Sequence, residues 1–209
     1  MAAKQPSPIL HDEEFYLRDA IFLIEDRLFK VHVCHFTDES AVFQAMFELP
    51  PGPDSEADGL TDERPIVLEG IKKNDFRRLL RVMYARGFKE IGMLTEEEWV
   101  SVLVLSTLWQ MDRLRGLAIA KLTKILNDGR TLVNLGRKYN VDSWVISGLE
   151  KLVARKEPMD EEDVRSIGIS DVLKVSALRE WTARMIDESK IPLDRKISSS
   201  QQCSLSRSH

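Results

Sequence analysis

Hydrophobic positions change texture along this chain. Between Ala20 and Val33 they form two short runs, AIFLIE and LFKVHV, parted by the charged pair Glu25-Asp26. Residues of this kind suit a pleated surface, so the runs predict strands over 20–25 and 28–33. In the first, Phe22 and Ile24 take one face and Ile21 and Leu23 the other, which predicts burial on both sides. In the second, Phe29 and Val31 point inward while Lys30 and His32 share the other face. Glu25-Asp26 predicts a tight hairpin turn, because Asp tolerates positive φ better than most residues.

The period then shifts from two towards 3.6. ESAVFQAMF places Phe43, Met46 and Phe47 on one stripe and offers Ser40 as N-cap, predicting a short helix with all three rings and chains in the core. Residues 49–65 are rich in proline, glycine and acids, which predicts an exposed loop unable to join a sheet, with Leu60 its one large apolar residue. PIVL (65–68) predicts a third strand. NDFRRLLRVMYARG predicts a helix capped by Asn74, ended by Gly87, and apolar along Phe76, Leu79, Leu80, Met83 and Tyr84. TEEEW carries a capping box, Thr95 with Glu98, before a helix over 96–110 that is apolar nearly all round and so belongs at the centre.

Helical patterning continues to the end, with Asp112, Asp142, Asp160 and Ser170 in N-cap positions. WQMDRL (109–114) and YNVDSW (139–144) repeat one pattern, aromatic–polar–apolar–Asp–polar–apolar, and predict two similar helix pairs. Residues 1–14 read as a loose lead-in and 187–209 as a disordered tail.

Composition narrows the function. Hydrophobic residues make up 43% of the 209, enough for a substantial core. The net charge of −4 gives no footprint for binding a nucleic-acid backbone, and a DNA-associated regulator is disfavoured. Cys34 and Cys203 lie far apart and imply no disulfide framework, so a reducing compartment fits, cytoplasmic or nuclear. The N-terminus lacks the apolar core of a signal peptide, and VLVLSTLW is too short to cross a bilayer.

Candidate chemistry is sparse. His32, Cys34 and His35 in HVCH invite zinc, but a site needs four tetrahedral ligands, and on a strand His35 points away from the other two. A structural His and a small buried Cys are the expectation, with no metal and no cofactor. The acids 96–98 and 160–163 open helices, where negative charge complements the dipole. Neither a phosphate loop nor a Ser/Cys–His–acid pattern occurs, so no catalytic activity is expected. Trp99, Trp109, Trp144 and Trp181 are expected in the core. Lys72, Lys73, Arg77, Arg78 and Arg81 crowd one helix, as a solvated face or as a surface for an acidic partner.

The order Asp19, Phe22–Ile24, Phe29, His32, Ser40, Phe43, Met46, Phe47 over 19–50 resembles the opening of a BTB/POZ domain. PIVLEGIKKNDFRRLLRVMY, ending at Tyr84, resembles the family's next strand and helix, and the later helices resemble the form common in fungal members. The resemblance implies an α+β fold: a small mixed sheet capped by helices over 15–127, then an all-helical extension of BACK-like pairs over 128–186. It implies a protein–protein interaction module, with protein partners, a second copy of itself among them, and in some members a cullin-type ubiquitin ligase that the protein serves as adaptor. A membrane or nucleic-acid partner is not implied. A partner surface is expected at Glu48 together with Lys72, Lys73, Arg77, Arg78 and Arg81. The lead-in carries Pro6 and Pro8, so self-association is expected to be weaker than in members with a long leading helix.

Overall fold

The computed structural model describes residues 10–50, 58–85 and 94–190, with side chains as far as Met185. Gly87, the early lead-in and the tail beyond 190 lie outside the described residues. The chain divides between Ile125 and Leu126 into two compact units.

The first unit is built on a three-stranded mixed sheet in the order β2-β1-β3. β1 (Asp19–Ile24) and β2 (Arg27–His32) form an antiparallel hairpin in which Phe22 lies opposite Phe29 and Ala20 opposite Val31. β3 (Ile66–Val67) runs parallel along the other edge of β1. β1 is thus central, which is why Ala20, Ile21, Phe22 and Ile24 are all buried. β2 stops at His32, earlier than the pattern predicts, because Val33 already begins the short helix α1 (Val33–Thr37). Positive φ falls on Glu25 and not on Asp26. Both acids are occupied: Asp26 pairs with Lys73 Nζ at 2.6 Å, and the Glu25 carboxylate accepts the Lys73 backbone N–H at 3.3 Å.

α2 (Ala41–Glu48), α3 (Lys73–Met83), α4 (Glu96–Leu108) and α5 (Asp112–Ile125) complete this unit. Their packing converges on Phe22. Its ring sits 5.4 Å from Phe36, 5.9 Å from Phe43 and 5.9 Å from Phe76, centroid to centroid. Trp109 closes the cluster, 5.1 Å from Phe43 and 5.9 Å from Phe76. α4 is central, with Trp99, Val102, Leu103 and Leu105 buried, and its capping box forms through Thr95 and Glu98. On α3 the cap position falls to Lys72, without a side-chain bond, while Asn74 lies inside the helix and accepts from Arg77 at 2.7 Å. Phe76, Leu79 and Val82 are the buried residues there, and Tyr84 has turned outward at the C-cap.

The acidic loop does reach the sheet, contrary to the expectation from its prolines. The Ile21 N–H donates to the Gly59 carbonyl at 2.8 Å, and the Gly59 N–H donates to the Arg64 carbonyl at 2.7 Å. Gly59 is buried at φ +84, and a Cβ there would stand 2.7 Å from the Ile66 side chain, so only glycine fits. The loop docks through this backbone, and Leu60 stays exposed.

The repeated hexapeptide has a local cause. Trp109 and Tyr139 are the C-caps of two helices, and Gln110 and Asn140 follow at φ 53. The Met111 N–H then reaches back to the Ser106 carbonyl and the Val141 N–H to the Gly136 carbonyl, both at 2.8 Å. These are two Schellman caps, each closed by a buried apolar residue after the left-handed one. Asp112 and Asp142 are therefore not N-caps. Each is the first residue of the next helix, where its charge meets the dipole, and the cap position before Asp142 belongs to Val141.

The second unit packs α6 (Gly129–Lys138) against α7 (Asp142–Ala154), followed by α8 (Glu161–Ile167) and α9 (Ile169–Lys190). α6 and α7 approach backbone to backbone: a Cβ on Gly148 would stand 2.7 Å from the Gly129 carbonyl oxygen. Val133, Leu152, Ile167, Val172 and Val175 form the core. Asp128, unremarked in the pattern, caps α6 by accepting from Thr131 N–H at 2.8 Å. Asp160 and Asp163 form a capping box on α8, whereas Ser170 lies inside α9 because Gly168 supplies the break at φ 89. Asp163 is fully buried and accepts from the two terminal guanidinium nitrogens of Arg155, at 3.1 and 2.5 Å. Arg179 of α9 donates to the carbonyls of Arg155, Lys156 and Glu157 beyond the end of α7. Trp99, Trp109 and Trp144 are core residues, but Trp181 is exposed.

Phe43→Ala is expected to cost about 3–5 kcal/mol, since it opens a cavity inside the ring cluster; a melting temperature unchanged by the substitution would contradict this. Gln110→Gly should raise stability by about 0.5–1 kcal/mol by relieving left-handed strain, and Asn140→Gly by less, because Asn tolerates that region better. Urea titrations that show either variant losing stability would contradict the cap assignment. The Arg155 hydrogen bonds hold the Asp163 carboxyl below the usual carboxylate range, helped by the Asp160 N–H and the charges of Arg155 and Arg130, against the opposing effect of burial. A lowered native value means the stabilisation is complete above the ordinary pKa of about 3.9 and disappears as pH falls through the native one. Acid titration followed by circular dichroism should show Asp163→Asn flattening the stability loss below about pH 4; an acid limb identical to wild type would count against it.

Candidate protein-interaction surface

The motif residues of the first unit fall into a buried set and a surface set. Phe22 and Phe43 belong to the ring cluster, and Phe29 is half-buried 5.0 Å from Phe76. The buried Ser40 hydroxyl has two partners: it accepts the Phe43 N–H at 3.3 Å, capping α2, and donates to the Trp109 carbonyl at 2.5 Å. One side chain therefore ties the start of α2 to the end of α4.

Asp19, His32 and Tyr84 meet at the end of the hairpin. Asp19 Oδ1 lies 2.7 Å from His32 Nδ1, and the Tyr84 hydroxyl accepts the His32 backbone N–H at 2.9 Å. His35 stands edge-on to Tyr84, with centroids 4.5 Å apart. Burial, opposed by the His32 hydrogen bond, pushes the Tyr84 phenol up. This is a polar latch between β1, β2 and α3. The strand geometry assumed for Cys34 does not occur, because Cys34 and His35 lie in α1. No group of three or more His, Cys, Asp or Glu among the described residues is placed to hold a metal.

The basic helix is mostly self-neutralised. Lys73 pairs with Asp26. Arg78 contacts Asp75 and Glu97, each at 3.1 Å, and also donates to Ser101 at 2.9 Å. Arg81 reaches Glu98 at 3.4 Å. Arg77 bonds Asn74 and lies over the Phe29 ring, while Lys72 is exposed. Sequence spacing collected these cations on one helix, but it could not show that acids from the hairpin turn and from α4 meet them.

The apolar surface lies elsewhere. Met46 and Phe47 are half-buried, not core as expected, because α2 ends at Glu48 and leaves its last turn over the sheet edge. With Leu49, Ile66, Val67 and Arg18 they line a groove of about 460 Å³. Leu49 is 73% and Val67 57% exposed, so the rim is apolar and open. The Arg18 guanidinium rides 5.5 Å over the Phe47 ring, a cation–π contact that the pattern of apolar residues could not reveal. On the other side of this ridge Glu48 lines a second depression with Gln44, Thr37 and Asp38.

The family profile of the BTB/POZ domain matches residues 10–126. The chain belongs to the BTB/POZ family. The matched span ends within one residue of the boundary between the two compact units. A search of the curated proteins returned no match. The BTB domain is a protein–protein interaction module and not a catalytic fold, which fits an open apolar groove on this unit. Among the described residues no helix is long and apolar enough to cross a membrane.

Proposed function

We propose that this BTB protein is a non-catalytic interaction module that self-associates or scaffolds protein partners in the cytoplasm or nucleus. The observation that carries this reading is the open apolar rim of Leu49 and Val67 on the unit matched by the BTB profile. Exposed apolar surface rimmed by polar groups is characteristic of interaction sites. Glu48, Lys72 and Arg77 are the members of the expected partner surface that form no ion pair among the described residues. Residues 128–186 are a BACK-like helical extension in this reading. Service as substrate adaptor for a cullin-type ubiquitin ligase is the second reading, supported by that extension, which supplies a compact unit separate from the BTB domain.

Leu49→Glu with Val67→Glu places charge on the rim while leaving the ring cluster intact. Affinity capture with the full chain should lose bound proteins at a melting temperature close to that of wild type. An unchanged set of captured proteins would remove the groove from the proposal, and a cullin among those lost would favour the adaptor reading.

A further inference from the structure

β2 is the outer strand of the sheet on the side away from β3, and its free edge is open. In an antiparallel pair, residues directly opposite one another either exchange both backbone bonds or both face away. Ile21 gives its N–H to the Gly59 carbonyl and Leu23 accepts the Leu68 N–H, so both face away from β2. Lys30 and Leu28 stand opposite them, and their N–H and C=O groups therefore point off the sheet. His32 gives the same direction, since its N–H leaves the sheet to reach the Tyr84 hydroxyl at 2.9 Å. Among the described residues no hydrogen bond reaches the backbone of Leu28 or Lys30. Both residues are exposed.

The charges beside this edge indicate its occupant. Lys30 sits near its middle and reaches Asp19 only at 3.9 Å, with the lysine side chain 65% exposed. α3 runs along the same strand: Lys73 meets Asp26 at the turn, Arg77 rides over Phe29, and Tyr84 holds His32. Arg77 and Lys72 form no ion pair among the described residues. The acids at the two ends are engaged, Asp26 by Lys73 and Asp19 by His32. We infer that β2 accepts one more strand, an acidic extended segment of a partner protein whose backbone pairs with Leu28 and Lys30. In an antiparallel addition the residue across from Lys30 shares its face, so a carboxylate there meets the ammonium. The neighbours of that residue point to the other face, towards Phe29 and Arg77. A second copy of β2 would bring Arg27 and Lys30 to an edge that already carries them, whereas an acidic strand neutralises these cations. The edge lies across the sheet from the groove above β3. The inference rests on the reading of the chain as an interaction module, but not on that groove.

The probe is a capped peptide of alternating glutamate and valine, matched to the six residues of β2 and added to the full chain. Before addition, amide exchange should be fast at Leu28 and Lys30 and slow at Phe29 and Val31, which bond to β1. Saturation with the peptide should slow exchange at Leu28 and Lys30. N-methylation of the glutamates removes the donors that face β2 and should abolish binding, whereas N-methylation of the valines, whose N–H groups point away, should not. Lys30→Glu should weaken the peptide about fivefold and favour a lysine–valine peptide in its place. Leu28→Pro removes an outward donor at an edge position and should weaken binding about tenfold. Leu49→Glu with Val67→Glu should leave the peptide bound as before, so failure of the groove and failure of the edge are told apart. Leu28 and Lys30 amides as slow as those of Phe29 and Val31 in the free chain overturn the inference, because the edge is then already covered. Protection that grows with chain concentration alone overturns it in favour of a second copy. So does a peptide that leaves both amides fast, and so does binding lost in the groove variant, which would seat the peptide over β3.

Discussion

The BTB unit depends on the enclosure of one ring. Phe22 is fully buried at the middle of the central strand, and α1, α2 and α3 each present a phenylalanine to it. Aromatic edges and faces meet at angles near perpendicular around Phe43, Phe76 and Trp109, an arrangement that favours aromatic pairs and leaves little room to slide. Because the side-chain period of a strand is two, a register slip of one residue would turn Phe22 to the opposite face. The pairing of Phe22 with Phe29 and with Ile66 fixes the sheet register and the helix positions together.

Polar contacts then decide where the elements end. The buried Ser40 hydroxyl spans α2 and α4, and a buried hydroxyl without partners would be costly, so the two helices are coupled through it. The Asp19–His32–Tyr84 latch does the same between the hairpin and α3. The charges on α3 serve this coupling as well: Lys73 holds the hairpin turn, and Arg78 and Arg81 hold the start of α4. What remains for partners is largely the apolar groove above β3.

In the helical unit the governing constraint is close backbone approach. Gly129 and Gly148 let α6 and α7 touch, while the half-buried Arg155, paired with the buried Asp163, joins the end of α7 to α8. Arg179 then anchors α9 to the end of α7, while Trp181 stays exposed. Two similar Schellman caps, one in each unit, show that equal local chemistry can end helices in different packing contexts.

Much of the fold was legible in residue order. The continuous apolar run of β1, the Ser40 cap, the Thr95–Glu98 capping box and the repeated hexapeptide are local signals, read within a few residues of where they act. They marked the hairpin, the helices and the BTB resemblance. Other outcomes turned on backbone geometry that residue types do not spell out or on a distant segment. Asp112 and Asp142 lost the cap role because the preceding helices end in Schellman turns that leave no room for one. The proline-rich loop reached the sheet because Gly59 could enter where a side chain could not. Met46, Phe47 and Trp181 share the spacing of core residues, yet they lie at the margins of their helices' contacts. Spacing along a chain determines which residues share a face; only the tertiary arrangement decides whether another element arrives to cover it.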